Sequence, residues 1–162
     1  MSEKKPQRWQ KDASEFADAL GTYMEVTGQP RLAGRLMGWL LVCDPPEQSA
    51  LELSTSLGVS RSAVSSVTQH ATRIGVLERV AVPGTREVHF RIAEDAWTQV
   101  ARSNIPLVQG VRRAADRALE ALAARDPAKN RRLAEMRDMY AFIEREMPLL
   151  LDRWEQEQRR KG

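Results

Sequence analysis

A single cysteine in 162 residues excludes an internal disulfide framework and suits a chain kept in a reducing compartment. The two histidines, His70 and His89, have no partners at metal spacing, so no metal site is expected. No apolar run approaches the roughly 20 residues that a membrane span needs. The charged first ten residues have no apolar core behind them, so a secretory signal is not expected either. The pattern lacks a glycine-rich phosphate loop, a Ser-His-Asp set and a paired-carboxylate cleft, so neither catalysis nor a cofactor is expected. Charge of one sign is also scarce. The formal net charge is only +3, and any affinity for nucleic acid must come from a local patch. What is present, 42% hydrophobic and 29% charged residues, suits a soluble, cytoplasmic protein with one domain or a small domain carrying an extended helical part.

Residues 50–67 are the most informative stretch. They divide into two short helical runs around Gly58. Leu53, Leu57, Val59, Val64 and Val67 fall where a helix-turn-helix needs apolar contacts between its two helices. Ser54 is small where the helices come closest, and Gly58 supplies the left-handed turn. A unit packed in this way offers the outer side of its second helix to the major groove of DNA.

The flanking patterns are mostly helical. Residues 1–11 are polar and predict a flexible tail. A first helix is predicted over 12–28, capped by Asp12 with Glu15 three residues on. Ala13, Phe16, Leu20, Tyr23 and Met24 share one stripe of it, and Gly28 and Pro30 end it. A second helix is predicted from Arg31 to Cys43, with Leu32, Leu36, Trp39, Leu40 and Cys43 on its buried side. Gly34 and Gly38 leave it a groove for a neighbouring helix, and Pro45 and Pro46 stop it. Helices over 49–57 and 60–74 follow, the latter capped by Ser60 and closed by Gly75.

From Val76 the period changes to two. Leu77, Arg79 and Val82 lead into a Pro83–Gly84 turn, and Val88, Phe90 and Ile92 then alternate with His89 and Arg91. Two strands and a turn directly after a helix-turn-helix make a winged helix, here over 29–94. That combination is more specific than either part alone. Residues 95–162 are helical, with a kink or restart at Pro106 and a cap at Asp126 followed by Pro127. Leu133, Met136, Tyr140, Ile143, Met147, Leu150 and Trp154 then form an apolar seam spaced alternately three and four, with a bend expected at Pro148. Such a seam is expected to pack on the preceding helix and on a second subunit. The fold class is therefore mostly α: a winged helix-turn-helix with a two-stranded β-wing, flanked by N- and C-terminal dimerisation helices.

At about 100° per residue, Val64, Val67, Ala71 and Ile74 lie on one side of the fourth helix. Ser62, Ser65, Ser66, Gln69 and Arg73 lie opposite them. Small hydroxyls let the backbone approach the groove, Gln69 suits adenine, and Arg73 reaches a guanine edge or a phosphate. Ser60 and Arg61, at the helix N-terminus, suit a backbone phosphate. Thr85 and Arg86, at the wing tip, suit the adjacent minor groove. Between residues 60 and 91, arginines 61, 73, 79, 86 and 91 face only Glu78 and Glu87. That local +3 equals the charge of the whole chain, so all the formal excess lies in this region. The expected partner is double-stranded DNA.

Two other readings are open. A winged-helix adaptor that binds protein is the alternative, separable by the salt dependence of its binding to random duplex. A thiol switch at Cys43 is the other. Cys43 is expected at a helix C-terminus beside Asp44, and both disfavour the thiolate, which makes a buried, inert cysteine the expectation.

The segment from Gly28 to Trp97 resembles the MarR-like winged-helix repressors, in particular their GbsR-type branch. The resemblance is carried by residues 28–41, with Pro30, Gly34 and Arg35 in a Pro-x-x-x-Gly-Arg helix, by 52–65, by 76–87 and by Asp95–Ala96–Trp97. The helical flanks fit by architecture only. The resemblance implies a homodimer held by its terminal helices, with two winged heads on a pseudo-palindromic operator, and a repressor released by a small-molecule effector. Members of that branch include repressors of choline and glycine-betaine metabolism. A quaternary ammonium calls for an aromatic cage, for which Tyr23, Trp39, Trp97 and Tyr140 are the candidates. At helical spacing such residues are more often plain core.

Overall fold

Small residues set how the chain begins to fold. In the computed structural model, which describes residues 4–122 and 127–161, α1 (Lys4–Val26) crosses α2 (Arg31–Leu40) at backbone distance. A Cβ added to Gly38 would lie 2.7 Å from the Ala17 Cα, and one added to Gly34 would lie 2.6 Å from the Leu20 carbonyl oxygen. The helix received by the groove on α2 is therefore α1. Arg35 Nε donates to Asp18 Oδ1 across the crossing at 2.6 Å.

This crossing corrects three expectations. The tail predicted over 1–11 is helical from Lys4, and Asp12 lies exposed inside α1, where it caps nothing. The Trp9 ring meets the Trp39 ring at 6.1 Å between centroids, a contact that extends the helix towards the N-terminus. The buried stripe of α1 is Ala13, Ala17 and Gly21, while Phe16 and Tyr23 are exposed. So close an approach admits only the smallest side chains. The third correction concerns α2, which ends at Leu40, so that Cys43 follows the helix and its N–H donates to Trp39 O at 2.9 Å.

The helix-turn-helix consists of α3 (Ala50–Leu57) and α4 (Arg61–Arg73). Ser49 and Glu52 form a reciprocal capping box at the start of α3, with the Ser49 N–H donating to Glu52 Oε2 at 2.6 Å. That bond holds the Glu52 carboxyl below its ordinary range. Gly58 closes α3 at φ 63°, where a side chain would be strained, and Val59 N–H returns to Ser54 O. Leu53, Leu57 and Val64 fill the angle between the helices.

After α4 come β2 (Leu77–Ala81) and β3 (Val88–Ile92), an antiparallel pair. The expected wing has two strands; a third, β1 (Gln48–Ser49), pairs with the other edge of β3. Two residues are too few to show an alternation in sequence. The expected alternation fails at His89, which is buried while Val88 is exposed. The His89 ring donates from Nδ1 to Glu87 O at 3.1 Å, and its Nε2 lies 3.8 Å from the Glu52 carboxylate.

The chain divides into two units after Ala96. The second contains α5 (Ala96–Ser103, whose first residue closes the first unit), α6 (Ile105–Leu122) and α7 (Pro127–Arg159). Of the kink or restart expected at Pro106, the structure shows the restart: α5 ends before Asn104, and Pro106 stands in the first turn of α6, where a missing N–H costs nothing. The expected cap at Asp126 lies outside the described residues. Arg102 bridges Asp152 and Glu155, and Arg112 pairs with Glu144, tying α5 and α6 to α7. Leu151 is buried on α7, and Pro148 lies inside the helix. Of the expected seam, Leu133, Tyr140, Ile143 and Met147 are half-buried, whereas Met136, Leu150 and Trp154 are exposed.

Gly38→Ala is expected to destabilise the fold by about 1–3 kcal/mol through overpacking at the crossing. Gly110→Ala in α6, where a Cβ meets nothing within 4 Å, should instead stabilise by about 0.5–1 kcal/mol. Urea denaturation of both variants would check the order, and equal midpoints would contradict the close crossing.

Candidate nucleic-acid interface

The core side of α4 determines which residues face solvent. Val64, Thr68 and Ala71, at positions i, i+4 and i+7, are buried. Thr68 was not among the expected core positions. Its hydroxyl is satisfied inside the helix by Val64 O at 2.9 Å and Ser65 O at 3.2 Å, which removes the cost of burying it. Val67 is only half-buried and Ile74 is exposed, so the buried stripe is turned slightly from the expected one.

All nine residues named from the sequence lie on the outside: Ser60, Arg61, Ser62, Ser65, Ser66, Gln69 and Arg73 on or beside α4, and Thr85 and Arg86 on the wing. Ser60 caps α4 by accepting the Ala63 N–H, and its hydroxyl lies 3.0 Å from that of Ser62. At the wing tip, Thr85 N–H returns to Val82 O around Pro83 and Gly84, the latter at φ 86°, as a type II turn requires. Thr85 Oγ1 then accepts the Glu87 N–H at 2.9 Å, so this hydroxyl also shapes the turn that presents Arg86.

The arginines of this region are not equivalent. Arg91 pairs with Glu78 across the β2–β3 ladder and reaches Glu47 at 3.7 Å, so it serves the sheet. Among the described residues, no acidic side chain pairs with Arg61, Arg73, Arg79 or Arg86. With Arg91 and Glu78 cancelling, those four face only Glu87, and the local excess of +3 remains. Arg73 Nη2 donates to His70 Nδ1 at 2.8 Å. The two line an open cleft of about 420 Å³ together with Ser66 and Gln69 of α4 and Gln29, Pro30 and Ala33 at the start of α2. His70 and Gln29 were not named from the sequence. The i, i+3 spacing of His70 and Arg73 was the available signal for the first.

The aromatic candidates for a cage behave differently from one another. Trp39 is buried and pairs with Trp9. Tyr23 is 66% exposed, Trp97 is exposed and Tyr140 is half-buried. Plain core therefore describes Trp39 and not Tyr23 or Trp97. No three His, Cys, Asp or Glu side chains gather as a metal ion would need among the described residues.

A family profile described as MmpR5-like MarR family transcriptional regulator matches residues 95–157. The HTH-type transcriptional regulator MmpR5 of Mycobacterium tuberculosis is 40% identical over 145 residues, covering 90% of this chain and 88% of that protein. The chain belongs to the MarR family. A crystal structure of a transcriptional regulator, also 40% identical, superposes with a TM-score of 0.76 over 90% of this chain and 99% of that one. As a MarR family member the chain is a DNA-binding transcriptional regulator and not an enzyme. The resemblance read from residues 28–97 holds at the level of the family, and the branch that the profile names is the MmpR5-like one, matched in the C-terminal helices.

Cys43 is buried, and its thiol is pushed up to about 11, first by burial and then by the carboxylates of Asp44, Glu47 and Glu52. At pH 8 the folded protein should therefore react with a thiol reagent roughly tenfold to a hundredfold more slowly than the unfolded chain, because only the thiolate attacks. A time course in buffer and in denaturant reads this directly, and equal rates would reopen the redox reading.

Proposed function

We propose that this MarR regulator works as a cytoplasmic homodimeric repressor that occupies a pseudo-palindromic operator and blocks transcription sterically. Each winged head lays α4 in the major groove, with Ser62, Ser65, Ser66, Gln69 and Arg73 towards the bases and Ser60 and Arg61 on a phosphate. Thr85 and Arg86 lie along the neighbouring minor groove. The observation that carries this reading is a wholly exposed polar side of α4 flanked by four arginines without an acidic partner among the described residues. Such cations release counterions from DNA and give affinity that falls steeply with salt.

Dimerisation is supported separately in each unit. On α1, Trp9, Phe16 and Tyr23 recur every seven residues and are all exposed. On α7, Met136, Met139, Phe142, Leu149, Leu150 and Trp154 are exposed, a broad apolar surface of the kind that marks an interface. Regulation by a small-molecule effector that releases the operator belongs to the same proposal. No described helix is long and apolar enough to cross a membrane.

Two experiments test this. Against a genomic fragment selected by the protein itself, Arg73→Ala should lose operator affinity, while Arg86→Ala should weaken operator and random duplex alike and lower the salt slope by about one. Unchanged binding by both variants would refute the assigned surface, and poor binding to random duplex at every salt concentration would favour the adaptor alternative. Leu150→Asp combined with Trp154→Asp should halve the mass seen by light scattering and weaken operator binding at least about tenfold, since each head then binds alone.

A further inference from the structure

We infer that His70 is the positioning residue for Arg73, and that the contact between them sets how well the regulator discriminates its operator from other DNA. The inference rests on the proposed placement of α4 in the major groove. A guanidinium carries only donors, so the 2.8 Å contact between Arg73 Nη2 and His70 Nδ1 requires that nitrogen to be an acceptor. The imidazole in this arrangement is therefore neutral, with its proton on Nε2. The three residues from His70 to Arg73 place both side chains on one face of α4, where Arg73 is held at the mouth of the cleft instead of sweeping through solvent.

The opposite wall of that cleft is Gln29, Pro30 and Ala33, none of which titrates, and Ser66 and Gln69 on α4 carry no charge. The acceptor that holds Arg73 is Nδ1 of His70, and a side chain without an acceptor at that place leaves the guanidinium loose. A fixed guanidinium selects a base edge through bidentate geometry, whereas a loose one finds any phosphate. Loss of the His70 acceptor therefore costs discrimination and leaves Arg73 to act as a mobile cation.

The test measures the ratio of operator to random-duplex affinity. His70→Ala should lower that ratio at least about fivefold, the smallest discrimination expected from one good base contact. His70→Asn, which puts an acceptor oxygen near the place of Nδ1, should keep the ratio of the wild type. His70 is exposed, and thermal melts confirm that the variants fold. If Arg73→Ala loses the ratio but His70→Ala keeps it, the positioning role is refuted and the interface stands. If Arg73→Ala and Gln69→Ala both bind operator as the wild type does, the interface itself is refuted.

Discussion

Val64, Thr68 and Ala71 hold α4 by its inner side, and the orientation of every residue proposed to meet DNA follows from that grip. A helix has no preferred rotation about its own axis until one stripe is buried. Here the stripe is narrow and contains a hydroxyl, which is tolerable only because Thr68 returns it to the carbonyls of Val64 and Ser65. With those three residues inside, the serines, Gln69 and Arg73 have nowhere to go but outwards. The turn at Gly58 fixes the angle at which α3 supports this arrangement, and Leu53 and Leu57 fill the space that the angle creates.

Electrostatics divides the same region into charges paired within the fold and charges without an acidic partner among the described residues. Arg91 is engaged by Glu78 and Glu47, joining β3 to β2 and to the segment before β1. Glu52 caps α3 and also faces the buried His89 ring of β3, so the first helix of the motif and the wing share one polar contact. Charges used in this way are unavailable to a ligand. Arg61, Arg73, Arg79 and Arg86 are left over, and an arginine without a carboxylate partner is the side chain best able to exchange hydration for phosphate or guanine. Their placement matters more than the net charge of the chain, because screening confines such interactions to within about 10 Å.

The two units differ in make-up. The first holds the helix proposed to read DNA, the wing and the α1–α2 crossing. The second is nearly all helix and leaves a large apolar surface on α7. On α1 the demands of the crossing sort the side chains by size: Ala13, Ala17 and Gly21 go in, and Trp9, Phe16 and Tyr23 are pushed towards the outside. Packing within the chain thereby leaves Phe16 and Tyr23 exposed, while the Trp9 ring meets that of Trp39.

Read alone, the sequence determined the helix-turn-helix, the wing, the polar side of α4 and an interruption, kink or restart, at Pro106. Each rests on interactions between residues close in the chain: a cap, a turn, a local period. The family was legible in part for the same reason, since Gly58 and Pro83–Gly84 are local backbone requirements, whereas Gly34 and Arg35 serve the crossing with α1. What only the tertiary structure decided depends on distant neighbours. It selected the small stripe of α1 over the aromatic one, extended that helix to Lys4 and buried His89 on a strand flanked from both sides. It also took Arg91 out of the basic patch and set Arg73 against His70. Periodicity reports that one side of an element is apolar. Which side is buried, and which charge is already spent, is decided by what comes to lie against it.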